Sequence, residues 1–119
     1  MTDWEHITRV ALALPLTTLG TSYGTPSLKV RGKLLARLRE DGVMTLKVED
    51  GLREALIDAQ PEVFFTTDHY AGYPIALVRL EHADAGQIAA LIHRGWGGLV
   101  PMKLRNPHAL PATDTPLES

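Results

Sequence analysis

The spacing of apolar residues changes several times along the chain, and each change marks an element. Trp4, Ile7, Val10, Ala11 and Leu14 recur every three or four positions, the interval of one helix face. Thr2 and Glu5 have capping-box spacing and Pro15 stops the run, which predicts a helix over residues 3–13. The Thr-rich stretch 16–24 reads as a short first strand. From there the interval falls to two. Leu28 and Val30 share one side of a strand; Leu34, Ala36 and Leu38 share one side of the next. Setting Val30 opposite Leu34 across a three-residue loop, Arg31-Gly32-Lys33, aligns both sets, whereas a two-residue turn would mix the faces. The connection Glu40-Asp41-Gly42 puts glycine third, where left-handed backbone is wanted. It pairs Leu38 with Met44, Ala36 with Leu46 and Leu34 with Val48, completing a meander with one apolar face.

Asp50 is expected to cap a short helix over 51–59, with Leu52, Ala55, Leu56 and Ala59 inward and Pro61 ending it. "VFFTT" and "PIALVRL" read as two further strands joined by the turn-rich "DHYAGY". Asp84 and Gln87 open a last helix whose apolar stripe is Ile88, Leu91, Ile92, Trp96 and Leu99. The segment 106–119 has three prolines and no apolar period, and is expected to be a disordered tail behind a single domain over 1–105. The order αββββαββα indicates an α+β fold, a two-layer sandwich of antiparallel sheet against helices.

Composition narrows the function. With 45% apolar and 22% charged residues the chain is an ordinary soluble domain, and having no cysteine it is excluded from thiol chemistry and suits the cytoplasm. No apolar run is long enough to span a membrane. His6, His69, His82, His93 and His108 lie too far apart for a metal-binding pair, and no phosphate loop or nucleophile elbow occurs. A non-enzymatic monomer without metal or cofactor is expected.

Charge, however, is segregated. Between residues 23 and 48 six cations meet two acids, a net +4 in a chain whose net charge is −2. The period-2 rule gathers them on the face that also carries Ser27, Leu35, Val43 and Thr45. Lys29, Arg31, Lys33, Arg37, Arg39 and Lys47 are therefore candidates to meet the phosphates of a nucleic acid. Without a helix-turn-helix or zinc module, such contact would be to the backbone, with low sequence specificity. A second group, Tyr23, His69, Tyr70 and Tyr73, offers stacking faces, hydroxyls and an imidazole to a small-molecule pocket, that of a binding module or of an enzyme. Its alternative is architectural, with Gly72 and Pro74 shaping the connector and the tyrosines covering the edge of the core.

Several stretches match one family. "SYGTPSLKVRGKLLARL", "DGVMTLKV", "PEVFFTTDHYAGYP" and "ALVRL", in this order and spacing, resemble the MmcQ/YjbR family of small bacterial proteins, over roughly residues 4–104. The resemblance implies a CyaY-like fold, described as a double wing, and a DNA-binding role. Two positions depart from the family pattern: Leu28 replaces a usual aromatic, and "GGLVPMKLR" replaces a more basic segment.

Overall fold

Asp3, not Thr2, caps the first helix. In the computed structural model, which describes residues 2–102, the Asp3 carboxylate accepts the His6 amide at 2.9 Å, and α1 spans Trp4–Leu12. A carboxylate there satisfies an orphan amide and also suits the positive end of the helix dipole. The chain continues through β1 (Thr17–Ser22), β2 (Thr25–Val30), β3 (Lys33–Leu38), β4 (Val43–Lys47), α2 (Leu52–Ala59), β5 (Phe64–Phe65), β6 (Ile75–Arg79) and α3 (Ala85–Gly97). The fold is α+β in the expected order. All six strands form one antiparallel sheet, β1-β2-β3-β4-β6-β5, and the helices pack on one face around a single core cluster. The tail expected over 106–119 lies outside the described residues. Among those residues no helix is long and apolar enough to cross a membrane.

The β2–β3 hairpin departs from the expected register. Val30 pairs with Lys33, so the turn is the two-residue Arg31-Gly32. Its φ values of 54° and 81° are the two positive angles that a type I′ turn requires. Tyr23-Gly24 closes β1–β2 in the same way, at 56° and 79°. The mixing of faces that a two-residue turn implies is undone by a β-bulge. Lys29 pairs with Leu34, but Leu28 pairs with Ala36, which leaves Leu35 as an extra residue on β3. Leu35 is consequently fully buried in the core beside Ala36, while Leu34 turns to the other face. Both assignments reverse the strict alternation. The next loop behaves as expected, with Gly42 at φ 79° and Leu38 and Ala36 opposite Met44 and Leu46. The ladder stops there: Leu34 does not pair with Val48, whose amide donates instead to the Pro74 carbonyl at 2.9 Å.

Asp84 accepts the Gln87 amide at 2.8 Å and starts α3. Ile88, Leu91, Ile92 and Trp96 then face the core. Gly95 lets this helix touch the sheet: a Cβ here would stand 2.8 Å from the Lys47 carbonyl oxygen and 2.9 Å from Leu35 Cδ1. The Trp96 indole is fully buried and donates from Nε1 to the Pro15 carbonyl at 2.8 Å, tying α3 to the α1–β1 connector. Helix α2 differs from expectation in its cap and its face. Gly51, at φ 84°, holds the N-cap position without a side-chain bond, and Asp50 plays no such part. Leu56 is buried with Leu52 and Ile57 packed beside it, whereas Ala55 and Ala59 are exposed.

Candidate functional site

The face of the sheet away from the helices is not a solvated surface throughout. Register places Ser27, Arg37, Thr45, Leu77 and Phe65 in one row across five strands. Ser27, Thr45 and Leu77 are nonetheless 0–2% exposed, and Leu77 is the buried apolar side chain that stands outside the main core cluster. The connector 66–74, with a single 3-10 turn at Asp68–Tyr70, folds back over this part of the face. Beneath it opens a cleft of about 490 Å³.

Leu34, Thr45 and Ile75 form the floor of the cleft, and Arg37 reaches into it. The walls are Tyr23 on one side and His69, Tyr70 and Tyr73 on the other. The four residues grouped from sequence as a possible pocket are thus brought together, although Tyr23 comes from a turn some fifty residues away in the chain. Arg37 is held in place: its Nη1 donates to Thr25 Oγ1 at 2.9 Å, which in turn donates to the Ser22 carbonyl at 3.0 Å. Its guanidinium lies 5.4 Å from the centroid of the Tyr23 ring, within cation–π range. The His69 and Tyr70 rings meet edge to face at 4.7 Å. A smaller cleft of about 270 Å³ lies beyond the Tyr23–Arg37 pair, bounded by Arg39, Glu40 and Asp41.

Two features mark this side of the sheet as more than packing. Ser27 Oγ and Thr45 Oγ1 are buried with no hydrogen-bond partner among the described residues, and register sets them on either side of Arg37. Each orphaned hydroxyl costs about 1–3 kcal/mol. The second feature is Tyr23, which is 90% exposed at a φ that asparagine or glycine adopts more cheaply. Its contribution to the core cannot account for that backbone cost.

Arg53 on α2 shapes the wall from behind. Its Nη1 donates to the carbonyls of Tyr70 and Tyr73, both at 2.9 Å, and of Ile75 at 3.4 Å. Nη2 donates to Ala71 at 3.1 Å, and Nε to Glu54 Oε2 at 2.8 Å. That hydrogen bond from Arg53 holds the Glu54 carboxyl below its usual value. Nothing in the sequence marks Arg53, because its partners are backbone carbonyls, which carry no residue identity. Ser27 and Thr45 carry a signal, as short hydroxyl residues among the long cations of one face.

The six cations do not share one field. Arg31 and Lys33 stand exposed at the β2–β3 turn, with Lys29 nearby on the strand. Arg37 belongs to the cleft, and Arg39 pairs with Asp41 at 2.9 Å. Lys33 and Arg39 are six residues apart along an extended strand, roughly 20 Å, against a Debye length of about 8 Å at physiological salt. Lys47 carries its ammonium to the C-terminal turn of α3, 4.0 Å from where a Cβ of Gly98 would stand.

Comparison with known proteins places these features. The sequence model of the YjbR family matches residues 12–97. "Uncharacterized protein Rv2570" of Mycobacterium tuberculosis (strain H37Rv) is 30% identical over 120 residues, spanning 87% of this chain and 93% of that protein. "Uncharacterized protein Mb2600" of Mycobacterium bovis matches to the same extent. The crystal structure of Deinococcus radiodurans protein DR2400, with a DUF419 domain, superposes with a TM-score of 0.73 over 97% of this chain and 96% of its own. At 19% identity that likeness speaks to the fold alone.

Proposed function

This chain belongs to the YjbR family, and from that premise we propose that it is a ligand-binding module whose cleft takes a small organic molecule. The observation that carries this reading is the convergence of Tyr23, Arg37, His69, Tyr70 and Tyr73 on one cleft whose floor includes Thr45 with its orphaned hydroxyl. An apolar cavity with a few convergent polar groups is the usual form of a small-molecule site. No nucleophile with an adjacent base lines it, so the reading is one of binding rather than catalysis.

The test is a thermal-shift screen of a diverse set of small organic fragments, with hits located by amide chemical-shift changes. Hits should move the resonances of the 70–75 segment; a screen without hits there removes the reading. Tyr23→Asn separates binding from folding. Asparagine relieves the left-handed backbone at the first position of a type I′ turn, so the variant should be about 1 kcal/mol more stable. It should bind hits more weakly, because one wall of the cleft is gone. A variant that is more stable and binds equally well would assign Tyr23 no part in recognition.

A second reading, nucleic-acid binding, rests on the β2–β3 turn. Arg31 keeps a left-handed backbone at φ 54°, and neither it nor Lys33 has an ion-pair partner among the described residues. With Lys29 they would engage about three phosphates of duplex DNA. The logarithm of the binding constant should then fall against the logarithm of salt with a slope near −3. Absence of binding at low salt removes this reading and leaves the first intact.

A further inference from the structure

Resting on the ligand-binding reading above, we propose that the cleft selects a planar aromatic monocarboxylate, its carboxylate on Arg37 and its ring between the tyrosines. Charge is the first argument. Arg37 is the permanent cation of the lining, and no aspartate or glutamate lines the cleft to neutralise it. One guanidinium balances one negative charge, which suits a carboxylate better than a doubly charged phosphate. The planar fork of arginine also matches a carboxylate with two parallel hydrogen bonds. Arg37 commits Nη1 to Thr25, and its other donors have no partner among the described residues.

The hydroxyls supply the second argument. Thr45 Oγ1 lies in the cleft floor next to Arg37 in register and donates to nothing among the described residues. A rotation about Cα–Cβ that turns this covered hydroxyl into the cleft would let a carboxylate on Arg37 accept from it, which offsets the cost of burying that donor. The third argument is the shape of the rest. Leu34 and Ile75 give an apolar floor, and Tyr23, Tyr70 and Tyr73 add aromatic side chains to the lining. A volume of about 490 Å³ accommodates one or two fused rings with a short acidic substituent.

The experiment measures affinities of the wild-type protein, by calorimetry, for matched probes: 2-naphthoate, its neutral amide 2-naphthamide, cyclohexanecarboxylate, benzoate and phenyl phosphate. The naphthoate should bind about 10- to 100-fold more tightly than the amide, the range for one charge-assisted contact. Benzoate should bind more tightly than cyclohexanecarboxylate and than phenyl phosphate. In Arg37→Gln the preference for naphthoate over its amide should vanish. The wild-type probe pairs decide the matter even if that variant folds poorly. Equal affinity for naphthoate and naphthamide overturns the carboxylate assignment while the ligand-binding reading stands. Phenyl phosphate binding more tightly than benzoate replaces carboxylate by phosphate, and cyclohexanecarboxylate equalling benzoate removes the aromatic half. If no probe binds but fragments from the diverse screen occupy the cleft, this proposal alone falls. If nothing binds in either experiment, both fall.

Discussion

Trp96→Ala is expected to lower the unfolding free energy by about 3–5 kcal/mol, the usual cost of emptying a buried indole site. The indole is fully buried and stands where α3, α1 and the sheet meet, so no neighbour can move in without uncoupling two elements. It also satisfies the Pro15 carbonyl, which the truncation leaves without that donor. Against a total stability of roughly 5–15 kcal/mol for a natural domain, such a loss removes between about a fifth and all of it. Urea denaturation followed by circular dichroism measures it. Trp96→Phe should lose less, because most of the packing volume remains and chiefly the hydrogen bond goes. A loss below about 1.5 kcal/mol for the alanine variant, the low side of large core truncations, would mean that the helices are held elsewhere.

Arg53→Met should do the most damage to the cleft while leaving its lining residues unchanged. The methionine keeps much of the aliphatic stem but removes donors to four carbonyls between Tyr70 and Ile75. These carbonyls are near the surface and can turn to water, so the stability loss should be a moderate 1–3 kcal/mol. Binding should suffer more, because a ligand must then order the connector itself. Fixing each backbone residue costs about 1–2 kcal/mol, and reordering even two residues predicts a loss of affinity of 10-fold or more. Hydrogen exchange of the amides in 70–75 should rise in parallel. Slow exchange and unchanged affinity in this variant would show that the connector holds its own shape. Arg53→Lys should fall between, since one ammonium cannot reach four carbonyls that a planar guanidinium spans.

Much of the architecture was legible because local chemistry and global placement agree. The 3.6-residue period of Ile88, Leu91, Ile92 and Trp96, with Asp84 before it, specifies α3 and its buried stripe. Glycine third in Glu40-Asp41-Gly42 specifies both the loop and the pairing of Leu38 with Met44. The β2–β3 register was not legible. Strict alternation and a three-residue loop explain the apolar pattern as well as a two-residue turn with a bulge does. Only the backbone distinguishes them. The same ambiguity hides part of the site: strict alternation puts Leu34 in the core and Leu35 on the cationic face, and each belongs to the other layer. Tyr23, His69, Tyr70 and Tyr73 could be grouped by residue type, but Arg37 was assigned to a polyanion surface. Strand periodicity gives the side of the sheet a residue occupies; it says nothing of a connector folding over that side.

The bulge at Leu35 also bears on how relatives should be aligned. A homologue with a regular β3 would have one residue fewer between its hairpin turn and the residue equivalent to Arg37. A gap placed at Leu35 would keep Leu34 and Arg37 matched to cleft positions in both chains. An ungapped alignment would instead match Arg37 to a residue that points toward the helices, and a shared anchoring cation would be scored as lost. Comparisons across the family that begin from this strand therefore depend on where a single deletion is allowed.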